Sequence, residues 1–328
     1  MSFFALLCAL LIEQARPLAR SNPIHAGLRA WALSVSRNFD TGKTHHAWVA
    51  WGLAVVVPSL LTMGIFLLLD IGLGWPLGWL WTVMVLYLTL GFRQFSHHFT
   101  GIRDALEAGD EQTAREKLAD WQQVEVVALP RSEVVRHALE YSVLAAHRHV
   151  FGVLVWFSIG ALLGLGPVGA VMYRLTEFVS RYWHYKQRMG VQMVSSALQD
   201  CAARAWTVVD WLPARATALS FAIVGSFEEA IEGWRFHAQR FPNDNDGVVL
   251  AATAGAINVR LGGEALRTRA AATIDGVEVL ESTAADSAPT PGRPPEVGHL
   301  RSVVGLVWRS VVVWLLLLAL LSLARLLG

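Results

Sequence analysis

The sequence predicts an all-α, polytopic integral membrane protein with three transmembrane spans, one or two broken or re-entrant apolar segments and a large cytoplasmic helical portion. Of its 328 residues, 54% are hydrophobic and only 16% are charged, whereas about a quarter of the residues in soluble proteins are charged. Three apolar stretches reach the roughly 20 helical residues that a bilayer core requires. No alternation of apolar and polar residues lasts long enough to predict a β-sheet.

Charge and cysteine content exclude several functional classes. The 27 Lys and Arg residues nearly balance the 26 Asp and Glu residues, so the chain lacks the basic excess that binds a nucleic-acid backbone. The two cysteines, Cys8 and Cys201, are too few for a disulfide framework or a zinc cluster. We therefore expect the lipid bilayer as a partner, and no nucleic acid.

The N-terminal half begins with two apolar segments. Residues 1–46 start with an apolar run that is too short to span and lacks the basic start of a signal peptide, so we predict an interfacial segment. Residues 47–92 are predicted to form a transmembrane hairpin, with spans at about 47–69 and 75–92 and a tight turn that begins at Asp70. Tryptophans near the span ends are typical interfacial anchors.

Residues 93–149 are predicted to form a cytoplasmic helical insert. Gly109 is expected to end one helix and Asp110 to cap the next. Farther along, Arg136 and Glu140 have the i,i+4 spacing that places them on one helix face.

Residues 150–263 are predicted to hold broken membrane helices. Glycines and Pro167 interrupt the apolar stretch 150–173, which predicts either one kinked span or two half-helices that enter and leave on the same side. The next apolar stretch contains Asp210, Pro213 and Arg215, so it is either an interfacial helix end or the wall of a polar site. A loose linker at 264–301 and a C-terminal transmembrane helix at 302–328 complete the chain.

Basic residues predict the orientation. Residues 14–46 and the loop after the second span are rich in Arg and Lys, whereas the turn 70–74 has neither. Because short cytoplasmic loops carry the excess of basic residues, we expect the polar segments in the cytoplasm and this turn outside.

Isolated motifs give weak functional signals. The pair His97–His98 indicates either a phosphate or metal contact at the interface or a solvated helix end, and adjacent residues point to different helix faces. The acidic turn 244–247 could bind a divalent cation through oxygen ligands, or simply precede a helix. The sequence contains no P-loop, zinc-protease motif, nucleophile elbow or kinase signature.

Several short motifs follow one another in a recognisable order. They are Arg93 with His98, Ala105–Asp110 with Ala114-Arg115, Arg136 with Glu140, Gly166-Pro167 with Tyr173-Arg174, Tyr185-Lys186, Asp210 with Pro213-Ala214-Arg215, and His237 with Pro242-Asn243, Gly247, Gly255 and Leu261-Gly262-Gly263. In this order the chain resembles the CobD/CbiB family, integral membrane proteins of cobalamin biosynthesis, and its relative AmpE, which is linked to β-lactamase regulation. The resemblance covers most of the chain and implies a multi-pass protein of the bacterial inner membrane.

The resemblance also implies an activity. The family members are adenosylcobinamide-phosphate synthase-type ligases, which attach an aminopropanol unit to adenosylcobyric acid in an ATP-dependent reaction. ATP and Mg²⁺ are implied only with that activity, since no cofactor is evident from the sequence itself, and a corrinoid or another small molecule is the implied ligand. The candidate substrate pocket consists of Arg93, His98, Glu140, Lys186, Asp210, Arg215, His237 and Asn243.

The chain departs from the family pattern at three places. Residues 124–126, 146–149 and 177–182 replace motifs in which the family has Asn, Asp and Thr side chains suited to substrate or Mg²⁺. These departures leave two alternatives open: a ligase of cobalamin biosynthesis, or an AmpE-like, non-enzymatic membrane sensor on the same fold.

Overall fold

The computed structural model describes residues 2–16, 23–122, 129–188, 194–266 and 286–327. These residues form thirteen α-helices and no β-strand, which confirms the prediction of an all-α fold. The helices are α1 Ser2–Ala15, α2 Pro23–Phe39, α3 Thr44–Leu67, α4 Trp75–Thr89, α5 Phe92–Glu107, α6 Glu111–Gln122, α7 Arg131–Ala146, α8 Gly152–Leu162, α9 Val168–Arg188, α10 Ser196–Val224, α11 Phe227–His237, α12 Asp244–Ala256 and α13 Val297–Leu327.

Four helical stretches of the described chain are long and apolar enough to cross a bilayer, as expected for a polytopic membrane protein. They are Thr44–Leu73, Arg131–Leu162, Ser196–Val224 and Val297–Ala324. The first contains the predicted span at 47–69, and the last contains most of the predicted C-terminal helix at 302–328. The other predicted span is the shorter helix α4, whose 15 residues end at Thr89.

The predicted hairpin has a later turn than the sequence indicated. A π-helical turn, Leu68–Leu73, extends α3 past Asp70, and the chain reverses at Gly74, whose φ of 102° favours glycine. Beside this hairpin, α1 packs against α4 with Ala5, Leu6 and Ala9 buried. The interfacial position predicted for residues 1–46 stays a prediction.

The longest stretch, Arg131–Leu162, is the central helix of the fold. It consists of α7, a π-helical turn at His147–Phe151, and α8. In its most apolar part 78% of the residues are buried, against 17% in Thr44–Leu73. The segment boundary predicted between residues 149 and 150 lies within this helix.

The predicted break around Pro167 separates two packed helices. The central helix ends at Leu162, and α9 begins at Val168 and packs back against α8. This arrangement is neither one kinked span nor two half-helices, because the turn joins the end of a 32-residue helix to the 21-residue helix α9. Residues 205–224 lie within the continuous helix α10, which contains Pro213 and ends before Gly225.

The polar helices α5 and α6 form the hairpin that the sequence predicted. Gly109 (φ 79°) separates them, and the Asp110 side chain accepts a hydrogen bond from the Thr113 amide at 3.0 Å. Hydrogen bonds from Thr113 hold the pKa of Asp110 below its usual value. At the end of α5, a hydrogen bond from Arg301 lowers the pKa of Glu107 and joins this hairpin to α13.

Candidate functional site

A cavity of about 440 Å³ lies between α7, α9, α10 and α12. Its volume is within the range of small-molecule sites. Gln122 of α6 lines it, so the cavity is at the end of the molecule where the polar helices lie. Its apolar wall includes Tyr141, Leu144, Trp206 and Leu250, and its charged lining includes Arg136, Glu140, Arg148, Glu177, Arg181, Asp246 and Glu264.

One side of the cavity is closed by contacts between α7 and a glycine loop. Arg136 is paired with Glu133 at 2.6 Å and Glu140 at 3.1 Å, as the i,i+4 spacing predicted for the second pair. The Gly262 amide donates to Glu140 Oε1 at 2.7 Å, and Arg136 Nη2 donates to the Glu264 carbonyl at 2.7 Å. Gly262 has a φ of 85°, which favours glycine. The glycine loop therefore holds the side chains of Arg136 and Glu140 in place.

The deep end of the cavity contains a second group of ion pairs. Arg148, in the π-helical turn, donates from Nη2 to Asp246 at 2.7 Å. On α9, Glu177 accepts from Arg174 Nη1 at 2.9 Å and also pairs with Arg181. Single π-turns within α-helices are frequent at functional sites; here the turn occupies the position from which Arg148 reaches α12.

A fully buried carboxylate lies behind this group. Asp210 of α10 has no exposed surface, and its Oδ1 is 3.0 Å from His147 Nε2 and 2.9 Å from the donating hydroxyl of Tyr173. His147 Nδ1 lies 2.9 Å from Thr217 Oγ1. Because His147 precedes Arg148, the Asp210 network fixes the turn that holds Arg148.

The acidic turn 244–247 is the first turn of α12. Asn243 caps this helix by accepting from the Asn245 amide at 3.1 Å. Asn245 accepts from Arg215 Nη1 at 2.5 Å and donates to the Thr207 carbonyl at 2.9 Å. These contacts join the start of α12 to α10, and Asp246 is already paired with Arg148.

The structure brings together only part of the predicted pocket. Glu140 and Asn243 line the cavity, Asp210 lies behind its deep end, and Arg215 holds Asn245.

Three other predicted residues have contacts elsewhere. His98 stacks on Trp121, Lys186 lies over the Tyr182 ring, and His237 accepts from Arg240. The side chains of Arg93 and His97, on α5, lie outside the described residues, as do residues 124–126.

Sequence reasoning missed Arg148, Glu177 and Arg181, which line the deep end. They occupy stretches 146–149 and 177–182, where the family's Asn and Asp residues are replaced. A signal was present, because a charged residue in or beside an apolar span usually marks a site, and only His149 separates Arg148 from the apolar stretch that begins at Val150.

Several buried polar atoms at this deep end have no hydrogen-bond partner among the described residues. They include Arg148 Nε, Arg181 Nε and Nη1, and Asp246 Oδ1. Within the same residues, no three His, Cys, Asp or Glu side chains converge to hold a metal ion. Mg²⁺ commonly uses only one or two carboxylates together with substrate phosphates, so the carboxylates that line the cavity are sufficient in number for this ion.

Comparison with known proteins gives consistent matches. A family model described as CobD/Cbib protein matches residues 3–287. The cobalamin biosynthesis protein CobD of Stutzerimonas stutzeri (strain A1501) is 31% identical over 327 residues, covering 96% of each chain. The protein of the same name from Chromobacterium violaceum is 35% identical over 183 residues, which cover 56% of this chain and 55% of the relative. No solved structure gave a significant match.

Proposed function

The chain belongs to the CobD/CbiB family of cobalamin biosynthesis, and from this premise we propose that it forms an amide bond in the cavity described above. The proposed reaction joins an aminopropanol unit to a carboxyl group of adenosylcobyric acid. We further propose that the protein works in the bacterial inner membrane. The AmpE-like sensor has no support from the comparisons, in which the family model and both relatives carry the CobD name.

The observation that supports this function is a small cavity with both charged and apolar walls. A corrinoid is much larger than about 440 Å³, so only its reacting carboxyl side chain would enter, next to the aminopropanol unit. The apolar wall suits the hydrocarbon parts of both groups, and the arginines suit the carboxylate of the side chain. The corrin ring would stay outside the cavity.

Amide formation requires an amine that has lost its proton. Asp246 is suited to accept this proton, because Arg148 binds one of its carboxylate oxygens while the other has no partner among the described residues. An ammonium group beside Asp246 would be held by charge and could then give up a proton to this carboxylate. ATP and Mg²⁺ are implied by the family activity; when bound, ATP supplies the activation of the carboxyl group.

Complementation tests this proposal. In a strain that lacks the synthase, we expect the wild-type chain to restore cobalamin-dependent growth. Asp246→Asn should lower cobalamin formation by at least tenfold because the uncharged amide cannot accept the proton. Asp244→Asn is the matched control, since Asp244 lies in the same helical turn but is exposed and outside the cavity. Immunoblots of membranes would show that both variants accumulate.

Two results would contradict the proposal. Failure of the wild-type chain to restore growth, despite its presence in the membrane, would refute the activity. Equal growth with Asp246→Asn and Asp244→Asn would refute the role of Asp246.

A further inference from the structure

We propose that the deep end of the cavity, between Arg148 and Arg181, is a subsite for the oxyanion group of a substrate. A phosphate monoester or a carboxylate would supply this group. The family activity is that of an adenosylcobinamide-phosphate synthase, so we assign the subsite to the phosphate of a phosphorylated aminopropanol unit. This assignment rests on the proposed function, whereas the anion subsite itself rests on the unpartnered nitrogens of the two arginines that line the cavity.

Arg148 has donors to spare in a buried place. The residue is 9% exposed and lines the cavity. Its single hydrogen bond among the described residues runs from Nη2 to Asp246, and its Nε has no partner. A guanidinium group presents five N–H donors, so one carboxylate contact leaves most of them available.

Arg181 is in the same condition on the opposite helix. It pairs with Glu177, but its Nε and Nη1 have no partner among the described residues. Glu177 also binds Arg174, so one carboxylate is shared between two guanidinium groups. The positive charge on this face of α9 is therefore only partly compensated by Glu177.

Arg136, at the other side of the cavity, is an arginine whose guanidinium nitrogens all have hydrogen-bond partners. Its Nε, Nη1 and Nη2 all donate, to Glu133, to Glu140 and to the Glu264 carbonyl. Arg136 thus serves to hold the glycine loop, and it has no nitrogen left for a ligand. The contrast places the anion subsite at the deep end.

Chemistry favours an oxyanion as the missing partner. Buried N–H groups without acceptors are costly, and phosphate or carboxylate oxygens bind guanidinium groups through paired, charge-assisted hydrogen bonds. The cavity is much larger than one phosphate group, and its apolar side, at Tyr141 and Leu144, would contact the rest of the molecule. The subsite therefore orients an amphipathic substrate with its anionic end toward Arg148 and Arg181.

Thermal stability of the full-length, detergent-purified protein provides the test. The probes are inorganic phosphate, O-phosphoethanolamine and acetate, each compared with sodium chloride at equal ionic strength. The variants are Arg181→Gln and Arg148→Gln, and the control is Arg204→Gln, an exposed arginine of α10 outside the cavity. Melting without ligand establishes that each variant is folded.

We expect phosphate and O-phosphoethanolamine to raise the melting temperature of the wild type and of Arg204→Gln. This rise should reach a plateau as the ligand concentration increases. In at least one cavity variant, the apparent affinity should fall at least tenfold. Saturation by acetate alone would support an oxyanion subsite that takes a carboxylate instead. No saturable effect beyond that of sodium chloride, or equal affinity in all variants, would overturn the proposal and indicate that water alone contacts these nitrogens.

Failure of this proposal differs from failure of the proposed function. Phosphate binding by a wild-type chain that does not complement would refute the ligase activity and leave the subsite in place. Complementation without anion binding would refute only the subsite.

Discussion

Asp210 is the side chain whose burial most needs explanation. An ionised carboxylate without solvent exposure is costly unless hydrogen bonds compensate for the lost water. Oδ1 lies within hydrogen-bond distance of His147 and Tyr173, while Oδ2 has no partner among the described residues. The three residues belong to three different segments of the chain, so this network links the central helix, α9 and α10.

The first prediction at this scale concerns the coupling between Asp210 and Tyr173. Asp210→Ala leaves two buried polar groups without their partner, and each such group costs about 1–3 kcal/mol. We expect a loss of about 2–6 kcal/mol in the free energy of unfolding for Asp210→Ala, and about 1 kcal/mol for Tyr173→Phe. The double variant should lose less than the sum, since the phenylalanine no longer carries an unpaired hydroxyl. Unfolding in mixed detergent micelles would measure all three, and additive losses would show that the two side chains are not coupled.

Residue-level predictions from sequence succeeded where local spacing determines the contact. Arg136 and Glu140 form the predicted pair because i and i+4 are neighbours on any α-helix. The partners of Arg148 could not be predicted in this way, because Asp246 is 98 residues away in the sequence and its approach depends on how α12 packs. Lys186 and His237 were placed in the pocket by motif order alone, and motif order does not determine which face of a helix a side chain occupies.

At the scale of helices, α8 and α9 approach each other closely. A Cβ atom at Gly169 would lie 2.1 Å from the carbonyl oxygen of Trp156. Since the obstacle is backbone, a rotamer change cannot relieve it. Small residues allow this kind of close helix approach within membranes.

Gly169→Ala should therefore separate α8 from α9. We expect a loss of about 1–3 kcal/mol, the usual cost of overpacking, and a lower melting temperature in detergent. Gly52→Ala is the matched control, because no atom apart from the backbone of its own helix lies within 4 Å of its Cβ position in α3, and alanine favours helix. If Gly169→Ala melts at or above the wild-type temperature while Gly52→Ala is unchanged, the α8–α9 contact is not as close as described.

Helices could be predicted from the sequence where hydrophobic stretches or turn residues mark their ends. Gly109 and Asp110 predicted the α5–α6 boundary because both act locally, through a left-handed φ and a capping side chain. The continuous Arg131–Leu162 helix was harder to recognise, since its N-terminal half is polar enough to resemble a soluble helix. That half is buried by α5, α6, α12 and α13, and tertiary packing of this kind leaves no periodic signal in one sequence.

For the whole molecule, two distant turns give a test of membrane orientation. Asp70 and Trp75, at the α3–α4 turn, line a small cavity of about 110 Å³ together with Gly164 and Gly166 of the α8–α9 turn. Both turns therefore lie at the same end of the fold. Neither residues 70–74 nor residues 163–167 include Lys or Arg, so the positive-inside rule gives both turns the same, external side.

This argument predicts which positions react from outside the cell. In a chain whose Cys8 and Cys201 are replaced by serine and alanine, single cysteines would be placed at Gly72, Leu163 and Gln112. The first two lie in or near the turns, Gln112 lies on α6, and Leu163 and Gln112 are both exposed. In intact spheroplasts, a membrane-impermeant maleimide should label positions 72 and 163, and should label position 112 only after the membrane is permeabilised. Labelling of position 112 alone in intact spheroplasts would indicate the opposite orientation. Labelling of positions 72 and 163 from opposite sides of the membrane would contradict the shared position of the two turns. Because the cavity adjoins α6 at Gln122, the expected pattern would also place its entrance toward the cytoplasm.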